Sequence, residues 1–236
     1  MGDMYFYGRS VSQSDEEAFN WYGKAAEQGD ADAQYNFGWM YDNGRGVSQS
    51  NTEAIKWYRK AVAQGDANAQ IMMGHMYYYG RGVNESNEEA VKWYRKAAEQ
   101  ENGHGQKNLG WMYEYGQGVN QSNEEAVKWY RKAAEQGNEY AQDNLGSMYK
   151  DGRGVPQSDA EAVKWYRKAA EQGYALGQKN LGWMYEYGRG VNQSNEEAVK
   201  WYRKSAEQGN EDAQKELGLM YKDGRGVPQS DEEAAK

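Results

Sequence analysis

Few side chains in this 236-residue chain are suited to acid–base, nucleophilic or metal chemistry. The chain has no cysteine, which excludes disulfides, thiolate nucleophiles and Cys-ligated zinc. Its two histidines, His75 and His104, have no evident base or metal partner, and no Ser-His-Asp set is suggested. We therefore predict no catalytic residues, no metal site and no cofactor.

Glycine-rich turns are a second candidate for chemistry, because such loops can bind phosphate through backbone N–H groups. The turns Gly44-Arg45-Gly46 and Gly188-Arg189-Gly190 follow a helical pattern and lack the Lys-Ser/Thr ending of a phosphate loop. The segment Asp42-Asn43-Gly44 lacks the spaced oxygen ligands and the closing Glu of a calcium loop. We interpret all of these segments as structural turns.

A basic, aromatic run is the third candidate. The sequence Lys-Trp-Tyr-Arg-Lys starts at Lys56, Lys92, Lys128, Lys164 and Lys200, and stacked copies could form a stripe for nucleic acid. However, 36 acidic and 28 basic residues give a net charge of −8, which disfavours nucleic acids and anionic membranes as partners. Glu125 also lies three residues before Lys128, at the spacing of a helical ion pair. We predict a solvated helix face.

The elements that position these residues are repeats. The Trp of a Trp-Tyr pair recurs every 36 residues, at Trp21, Trp57, Trp93, Trp129, Trp165 and Trp201. At this period the chain holds about six and a half units, and a stack of such units buries a continuous core. The invariant Trp-Tyr pair is therefore predicted to be core packing.

Each unit is predicted to contain two helices, as residues 139 to 173 illustrate. Helix A runs from Glu139 to Lys150, because apolar residues follow a helical period before the glycine turn at 151–154. Helix B opens at Ser158 and ends near Gln172, before Gly173. A glycine in each A helix, such as Gly146, is predicted to let that helix approach its neighbours closely.

A capping box marks the start of each helix B. The seven serines are Ser14, Ser50, Ser86, Ser122, Ser158, Ser194 and Ser230. Each is followed three residues later by a glutamate: Glu17, Glu53, Glu89, Glu125, Glu161, Glu197 and Glu233. In this motif the serine side chain accepts from the amide three residues on, which fixes the first turn of the helix.

These motifs resemble the Sel1-like repeat family. The pattern A-x-x-x-L-G-x-M-Y-x-x-G-R-G-V-x-Q-S-x-x-E-A-x-K-W-Y-x-K-A-A-x-x-G recurs over nearly the whole chain. The resemblance implies an all-α, right-handed α/α superhelical solenoid of about six 36-residue helix-turn-helix repeats, related to tetratricopeptide repeats. It also implies a non-enzymatic adaptor that binds other proteins. We expect one continuous domain over residues 1–236, with partial repeats at both ends.

The chain departs from a regular array in three places. It begins inside helix A, at Met4-Tyr5, and ends inside helix B, at Lys236, so end-to-end self-association through the terminal repeats is a further hypothesis. The segment Glu101 to Gly105 replaces the usual glycine stop and alanine, which predicts an irregular linker that contains His104. The sequence contains no apolar stretch of transmembrane or signal-peptide length and leaves the compartment open.

Positions that vary between the copies lie along one predicted face of helix A. In the second 36-residue repeat these positions are Asp32, Tyr35, Trp39, Asp42 and Asn43, at the spacing of one helix face opposite the core stripe. The fourth position is occupied in turn by Asp42, Tyr78, Glu114, Lys150, Glu186 and Lys222. In repeats related to tetratricopeptides this face lines the concave surface, so we expect it to be solvent-accessible.

The aromatic content of this face predicts a binding groove, because rigid amphipathic rings are typical of binding surfaces. The predicted ligand-binding residues are Tyr35, Trp39, His75, Tyr78, Tyr79, Lys107, Trp111, Tyr115, Tyr140, Lys179, Trp183 and Tyr187. An extended peptide or protein segment is the expected ligand. Three alternatives stay open: carbohydrate or cell-wall glycan stacking on the same rings, burial of the rings between adjacent A helices, and rings that are inherited copies without a role.

Overall fold

The computed structural model describes residues 1–235, and its helices are joined by short turns. This part of the chain contains fourteen helices: α1 Gly2–Tyr7, α2 Asp15–Glu27, α3 Ala31–Asn43, α4 Asn51–Ala63, α5 Ala67–Tyr78, α6 Asn87–Glu99, α7 Gly103–Tyr115, α8 Asn123–Glu135, α9 Glu139–Asp151, α10 Asp159–Glu171, α11 Ala175–Glu186, α12 Asn195–Glu207, α13 Glu211–Asp223 and α14 Asp231–Ala234. Odd-numbered helices are the A helices and even-numbered helices the B helices. The predicted end of the chain inside helix B at Lys236 lies outside the described residues.

Contacts within the chain group it into two compact units. The first comprises Met1–Met112 and Gly116–Asn120, and the second comprises Tyr113–Tyr115 and the chain from Gln121 onward. Inside a unit, an A helix packs on the B helix of its own repeat, and that B helix packs on the next A helix, as α9, α10 and α11 do. Each unit is a stack of helix-turn-helix repeats, which confirms the predicted all-α repeat fold. The single continuous domain stays a prediction.

The predicted helix boundaries and caps are confirmed. Ser158 caps α10 by accepting a hydrogen bond from the Glu161 amide at 3.3 Å. The serine side chain also accepts from the amide three residues on at the start of the other B helices. Helix α9 ends at Gly152, whose φ of 67° lies in the left-handed region that glycine adopts without strain. None of the helices within residues 1–235 is long and apolar enough to cross a membrane.

The predicted irregularity around His104 is wrong for the helix itself. Helix α7 begins at Gly103, so His104 lies in its first turn and not in a linker. The side chain of Asn102 caps this helix by accepting from the amides of His104 and Gly105. Glu101 takes the left-handed position, with φ 60°, that a glycine holds in other repeats. Gly105 is required because a Cβ there would lie 2.7 Å from the Ala97 side chain.

A contact between glycine and tyrosine joins the two helices of a repeat. A Cβ on Gly182 of α11 would lie 2.8 Å from the ring of Tyr202 in α12. Gly146 and Tyr166 stand in the same relation in the preceding repeat. Tyr202 is fully buried and Trp201 beside it is 8% exposed, which supports the core role predicted for the Trp-Tyr pair. The predicted close approach of the A helix through its glycine is confirmed.

The glycine-rich turns pack on the preceding repeat. Gly154, with φ 70°, lies so close to the first turn of α8 that a Cβ would collide with the Asn123 backbone. The arginine between the two glycines then reaches into the preceding repeat, as Arg153 does toward Glu114. These contacts give the turns the structural role that the sequence indicates.

Buried carboxylates on the A helices correct one expectation. Asp42, Glu114 and Glu186 were expected on the open variable face, yet each is at most 5% exposed. Glu186 accepts a hydrogen bond from the Tyr202 hydroxyl at 2.7 Å and pairs with Arg225 at 2.5 Å. The partner arginine lies 39 residues further along the chain, in the turn of the next repeat. Burial of the carboxylate is possible because both oxygens have partners.

The other arginine turns use a different carboxylate. Arg189 forms two hydrogen bonds to Asp159 at the start of α10, at 2.6 and 3.3 Å. Arg45 binds Asp15 in the same way, and this hydrogen bond lowers the pKa of Asp15. In repeats whose helix B starts with Asn, such as Asn195, the arginine of the next turn binds the carboxylate on helix A instead, as Arg225 binds Glu186. Each of these arginines therefore binds a carboxylate of the preceding repeat, and Arg225 also lies 3.4 Å from Asp223.

The basic run of the B helices forms exposed ion pairs, as the sequence predicts. Lys128 lies 3.3 Å from Glu125, and the equivalent lysines pair with glutamates three residues earlier in four other B helices. The second lysine of the run covers the tryptophan ring, as Lys132 does over Trp129 at 4.6 Å. Both ammonium groups are thus engaged within their own helix.

Replacing Gly182 by alanine should lower the free energy of unfolding by about 1–3 kcal/mol, because the new methyl group overpacks the Tyr202 ring. Gly218→Ala is the matched control, since among the described residues a Cβ at that repeat position meets the Ala234 carbonyl oxygen, at 3.2 Å, and no ring. Urea unfolding of both variants measures the difference. Equal losses would contradict the proposed role of the ring.

Replacing Glu114 by alanine should lower the unfolding free energy by about 1–3 kcal/mol, because the buried Tyr130 hydroxyl loses its acceptor and Arg153 loses its buried partner. The control Glu125→Ala removes an exposed carboxylate and should cost less than about 1 kcal/mol. Chemical denaturation at neutral pH measures both variants. A cost for Glu114→Ala as small as the control's would show that the buried pair adds little.

Candidate functional site

A pocket of about 330 Å³ opens on the A-helix face of the first unit. We call it the Trp111 pocket, and its lining consists of His75, Tyr78, Tyr79, Tyr94, Lys107, Asn108, Trp111 and Met112. Helix α5 and its C-cap supply the first three residues, α6 supplies Tyr94 and α7 supplies the others. The pocket therefore lies between two neighbouring A helices, with the core tyrosine of a B helix among its walls.

Five rings form a connected series around this pocket. Tyr78 meets the edge of Trp111, with centroids 5.6 Å apart, and lies 4.8 Å from Tyr79. His75 lies 6.4 Å from Tyr79 and packs edge-to-face on Tyr94 at 5.6 Å. Edge-to-face packing at these distances is a favoured arrangement of aromatic pairs. The pocket wall is consequently an aromatic surface.

His75 is neutral at pH 7. Burial lowers the pKa of its imidazole to about 4, and the positive charges of Lys107 and Arg81 act in the same direction. The side-chain amide nitrogen of Asn108 lies 3.3 Å from His75 Nε2. The ring is thus an uncharged polar aromatic group at neutral pH.

A second pocket, also of about 330 Å³, lies at the equivalent place in the second unit. We call it the Trp183 pocket, and its lining consists of Lys150, Tyr166, Lys179, Asn180, Trp183, Tyr202, Asp212 and Glu216. Tyr166, Lys179, Asn180 and Trp183 follow Tyr94, Lys107, Asn108 and Trp111 by 72 residues each. Each unit therefore carries one Lys-Asn-Trp pocket of the same design.

Charges distinguish the Trp183 pocket from the Trp111 pocket. Lys150 stands where the first unit has Tyr78, and its ammonium lies 5.5 Å from the Trp183 ring centroid. Lys179 lies 3.5 Å from Asp212. Burial raises the pKa of Asp143 to about 6, opposed by the hydrogen bond from Asn180 and by the charges of Lys179 and Lys150. Mixed charge therefore replaces the aromatic wall.

The structure brings some of the predicted site residues together and leaves others apart. His75, Tyr78, Tyr79, Lys107 and Trp111 share the first pocket, and Lys179 and Trp183 share the second. Tyr187 lies beside Trp183, at 5.1 Å between centroids, without lining the pocket. The remaining predicted residues are outside both pockets: Tyr35, Trp39, Tyr115 and Tyr140.

The residues outside the pockets have other contacts. Trp39 is half-buried and meets the edge of Phe6 at 5.5 Å, and Tyr35 stacks near Tyr58 at 6.1 Å. Tyr140 is paired with Tyr174, with centroids 4.8 Å apart, although 45% of its surface stays exposed. Packing between repeats therefore accounts for part of the aromatic content of the variable face.

Sequence reasoning missed the asparagines and core tyrosines of the pockets. Asn108 and Asn180 lie in a segment, QKNLGWMYEYG, that occurs twice without change, which makes them look like packing residues. Tyr94 and Tyr166 belong to the invariant Trp-Tyr pair, whose core role hides their second contact with the pockets. The exact recurrence of that segment at a 72-residue interval was the signal that could have located both sites.

Paired helices repeated at a fixed 36-residue step place the chain in the class of α/α repeat proteins. It belongs to the Sel1 repeat family, whose pattern matches residues 1–30, 31–66, 67–102, 103–138, 139–174, 175–210 and 211–236. The seven matches include the partial repeats at both ends. Sel1 repeat proteins are generally scaffolds without enzymatic activity, and protein interaction is the role typical of the family.

Solved structures agree with this assignment. A protective antigen of uropathogenic Escherichia coli strains with an SLR fold is 40% identical, with a TM-score of 0.84 over 99% of this chain and 50% of its own. This chain therefore spans half the length of that relative. A Sel1 repeat protein from Oxalobacter formigenes is 34% identical, with a TM-score of 0.87 over 99% of this chain and 92% of its own.

A more distant likeness concerns the fold alone. An immunity protein from Pseudomonas aeruginosa is 23% identical, with a TM-score of 0.54 over 87% of this chain and 74% of its own. A search of curated proteins gives no match to the chain.

The His75 ring should titrate with a midpoint near pH 4, well below the value of about 6.5 for a histidine in the unfolded chain. Between pH 4 and pH 6.5 the unfolded state binds more protons than the folded state. The contribution of His75 to the free energy of unfolding is therefore complete above pH 6.5 and falls as the pH drops. At pH 4 this loss amounts to about 3 kcal/mol.

Ring carbon and proton shifts of His75 measured by NMR give the midpoint directly. His75→Ser is the matched variant for stability, because serine holds the equivalent position at Ser147. The variant should lose less stability than the native chain between pH 6.5 and 4. A midpoint near 6.5 would show that the ring is in water.

Proposed function

We propose that the protein is a non-enzymatic interaction scaffold that binds an extended peptide or protein segment on the A-helix face. One observation carries the proposal: each unit has a pocket of about 330 Å³ at the same repeat position, lined by lysine, asparagine and tryptophan side chains. The predicted residues Trp111 and Trp183 are the main anchors. We also propose that this A-helix face is concave.

The chemistry of the pockets suits peptide recognition. The asparagine amides are held by His75 in one unit and by Asp143 in the other, so a backbone could meet pre-oriented polar groups. The tryptophans are half-buried and can bury apolar side chains without large entropy loss. The lysines add charge without creating a uniform basic surface, which disfavours a simple polyanion.

The buried titratable groups of the two pockets have structural contacts. Within residues 1–235, no cluster of three or more His, Asp or Glu side chains has metal-binding geometry. His75 is neutral and packed between rings, and Asp143 is buried with its partner Asn180. Both groups hold the pockets in shape, which fits a binding role.

Peptide and glycan arrays separate the proposed ligand class from the carbohydrate alternative. The native chain should bind a subset of peptides, and the double variant Trp111→Ala, Trp183→Ala should lose about tenfold or more in affinity for them, because two aromatic anchors are removed. Binding to glycans with the same dependence on the two tryptophans would replace the proposal by the alternative.

Thermal unfolding controls for loss of structure. Trp129→Ala removes a core ring that is 7% exposed and should lower the melting temperature strongly. The double variant should lower it much less, because Trp111 and Trp183 are more exposed. Equal losses would mean that the two anchors are core residues. End-to-end self-association stays a prediction, which light scattering across a dilution series tests.

A further inference from the structure

We propose that the Trp111 pocket binds an aromatic side chain of the partner, next to an acidic residue that pairs with Lys107. This inference rests on the proposed function and names the ligand of one of its two pockets. Three features support it: the ring geometry, the charge around the pocket and the contrast with the Trp183 pocket.

The walls of the pocket fit a further ring. Tyr78 stands perpendicular to both Trp111 and Tyr79, with interplanar angles of 86° and 88°. Ring faces and edges are therefore both directed around the same cavity. An inserted aromatic side chain can meet one face and one edge, which gives more contact energy than burial of apolar area alone. A volume of about 330 Å³ suits one side chain and not a folded element.

The charge around the pocket disfavours a cation as the inserted group. Lys107 is in the wall, and the Arg81 guanidinium lies 5.8 Å from the Tyr79 ring centroid while it pairs with Asp42. The low pKa of His75 is a sign of the same positive surroundings, since Lys107 and Arg81 both contribute to it after burial. An aromatic box of this kind would otherwise attract ammonium groups. The same field favours a carboxylate beside the inserted ring.

The Trp183 pocket shows what the aromatic wall adds. At the positions of Tyr78 and His75 the second unit has Lys150 and Ser147. The Ser147 hydroxyl lies 3.0 Å from the Tyr166 hydroxyl, where His75 instead packs its ring on Tyr94. The second pocket thus retains the tryptophan and the asparagine but loses three of the five rings, since Asp151 also stands at the position of Tyr79. Selection for an aromatic side chain is therefore specific to the first pocket.

His75 is the reporter for the test, because it lies in the pocket wall and the chain has only one other histidine, His104. The probes are N-acetyl amides of phenylalanine, leucine and lysine, followed by the dipeptide amides N-acetyl-Asp-Phe and N-acetyl-Lys-Phe. NMR shifts of the His75 ring in the full chain are followed at neutral pH, with His104 as the internal reference outside the pocket.

The phenylalanine amide should shift the His75 signals saturably and more strongly than the leucine and lysine amides. N-acetyl-Asp-Phe amide should bind at least about threefold more tightly than N-acetyl-Lys-Phe amide. Lys107→Glu should reverse that order, and Asp143 provides a precedent for an acidic residue at this repeat position. Tyr78→Lys, which copies Lys150, should weaken binding of the phenylalanine amide at least about fivefold.

Equal responses to the phenylalanine and leucine amides, or a stronger response to N-acetylglucosamine oligomers, would overturn the inference. An absent response at His75 overturns it as well. If array peptides still bind in a manner that depends on Trp111 and Trp183, the scaffold proposal survives that result. If neither array peptides nor probes bind, both fail. Circular dichroism of Tyr78→Lys and Lys107→Glu verifies that the variants are folded.

Discussion

The buried tyrosine shared by the B helices α2, α4, α6, α8, α10 and α12 is the constraint on which the rest of a repeat depends. Tyr202 places its ring against Gly182, where no Cβ is tolerated, and its hydroxyl donates to Glu186. Glu186 is in turn paired with Arg225 from the following turn. A hydroxyl and a carboxylate can be buried here only because each satisfies the other. One side chain therefore fixes the spacing of the helices within a repeat and the docking of the next turn.

The same tyrosines contribute to the candidate binding pockets. Tyr94 is part of the Trp111 pocket, and Tyr166 and Tyr202 are part of the Trp183 pocket. The core thus sets the floor of each pocket, while the A helices supply residues that differ between copies. Exchange of Tyr78 for Lys150 changes the character of a pocket without disturbing the contact between glycine and tyrosine. Stability and ligand preference are in this way assigned to different positions of one repeat.

The fold could be predicted from the sequence because its determinants are local and repeated. The Ser-x-x-Glu caps, the glycine stops and the apolar spacing each define a helix end or face without knowledge of distant contacts. The site was only partly predictable. The position of Asp42, Glu114 and Glu186 looks exposed by spacing alone, and its burial depends on an arginine 39 residues away. Helix periodicity carries no information about such partners. Trp39 and Tyr140 are aromatic, like the pocket residues. They pack against the rings of Phe6 and Tyr174 and do not line a pocket.

The arginine turns have a consequence for how such an array can change in length. A repeat presents its carboxylate to the following arginine either from the start of its B helix, as Asp159 does, or from its A helix, as Glu186 does. Because the guanidinium reaches either position, a repeat of one type can follow a repeat of the other without leaving a charge unmatched. The repeat formed by α5 and α6 has no such acid. There Asn87, at the start of α6, donates a hydrogen bond to Gln117 in the turn after α7, and this neutral pair replaces the ion pair. The two types of acid-bearing copy are therefore interchangeable at this joint, whereas the copy that contains Asn87 matches a neutral turn residue such as Gln117.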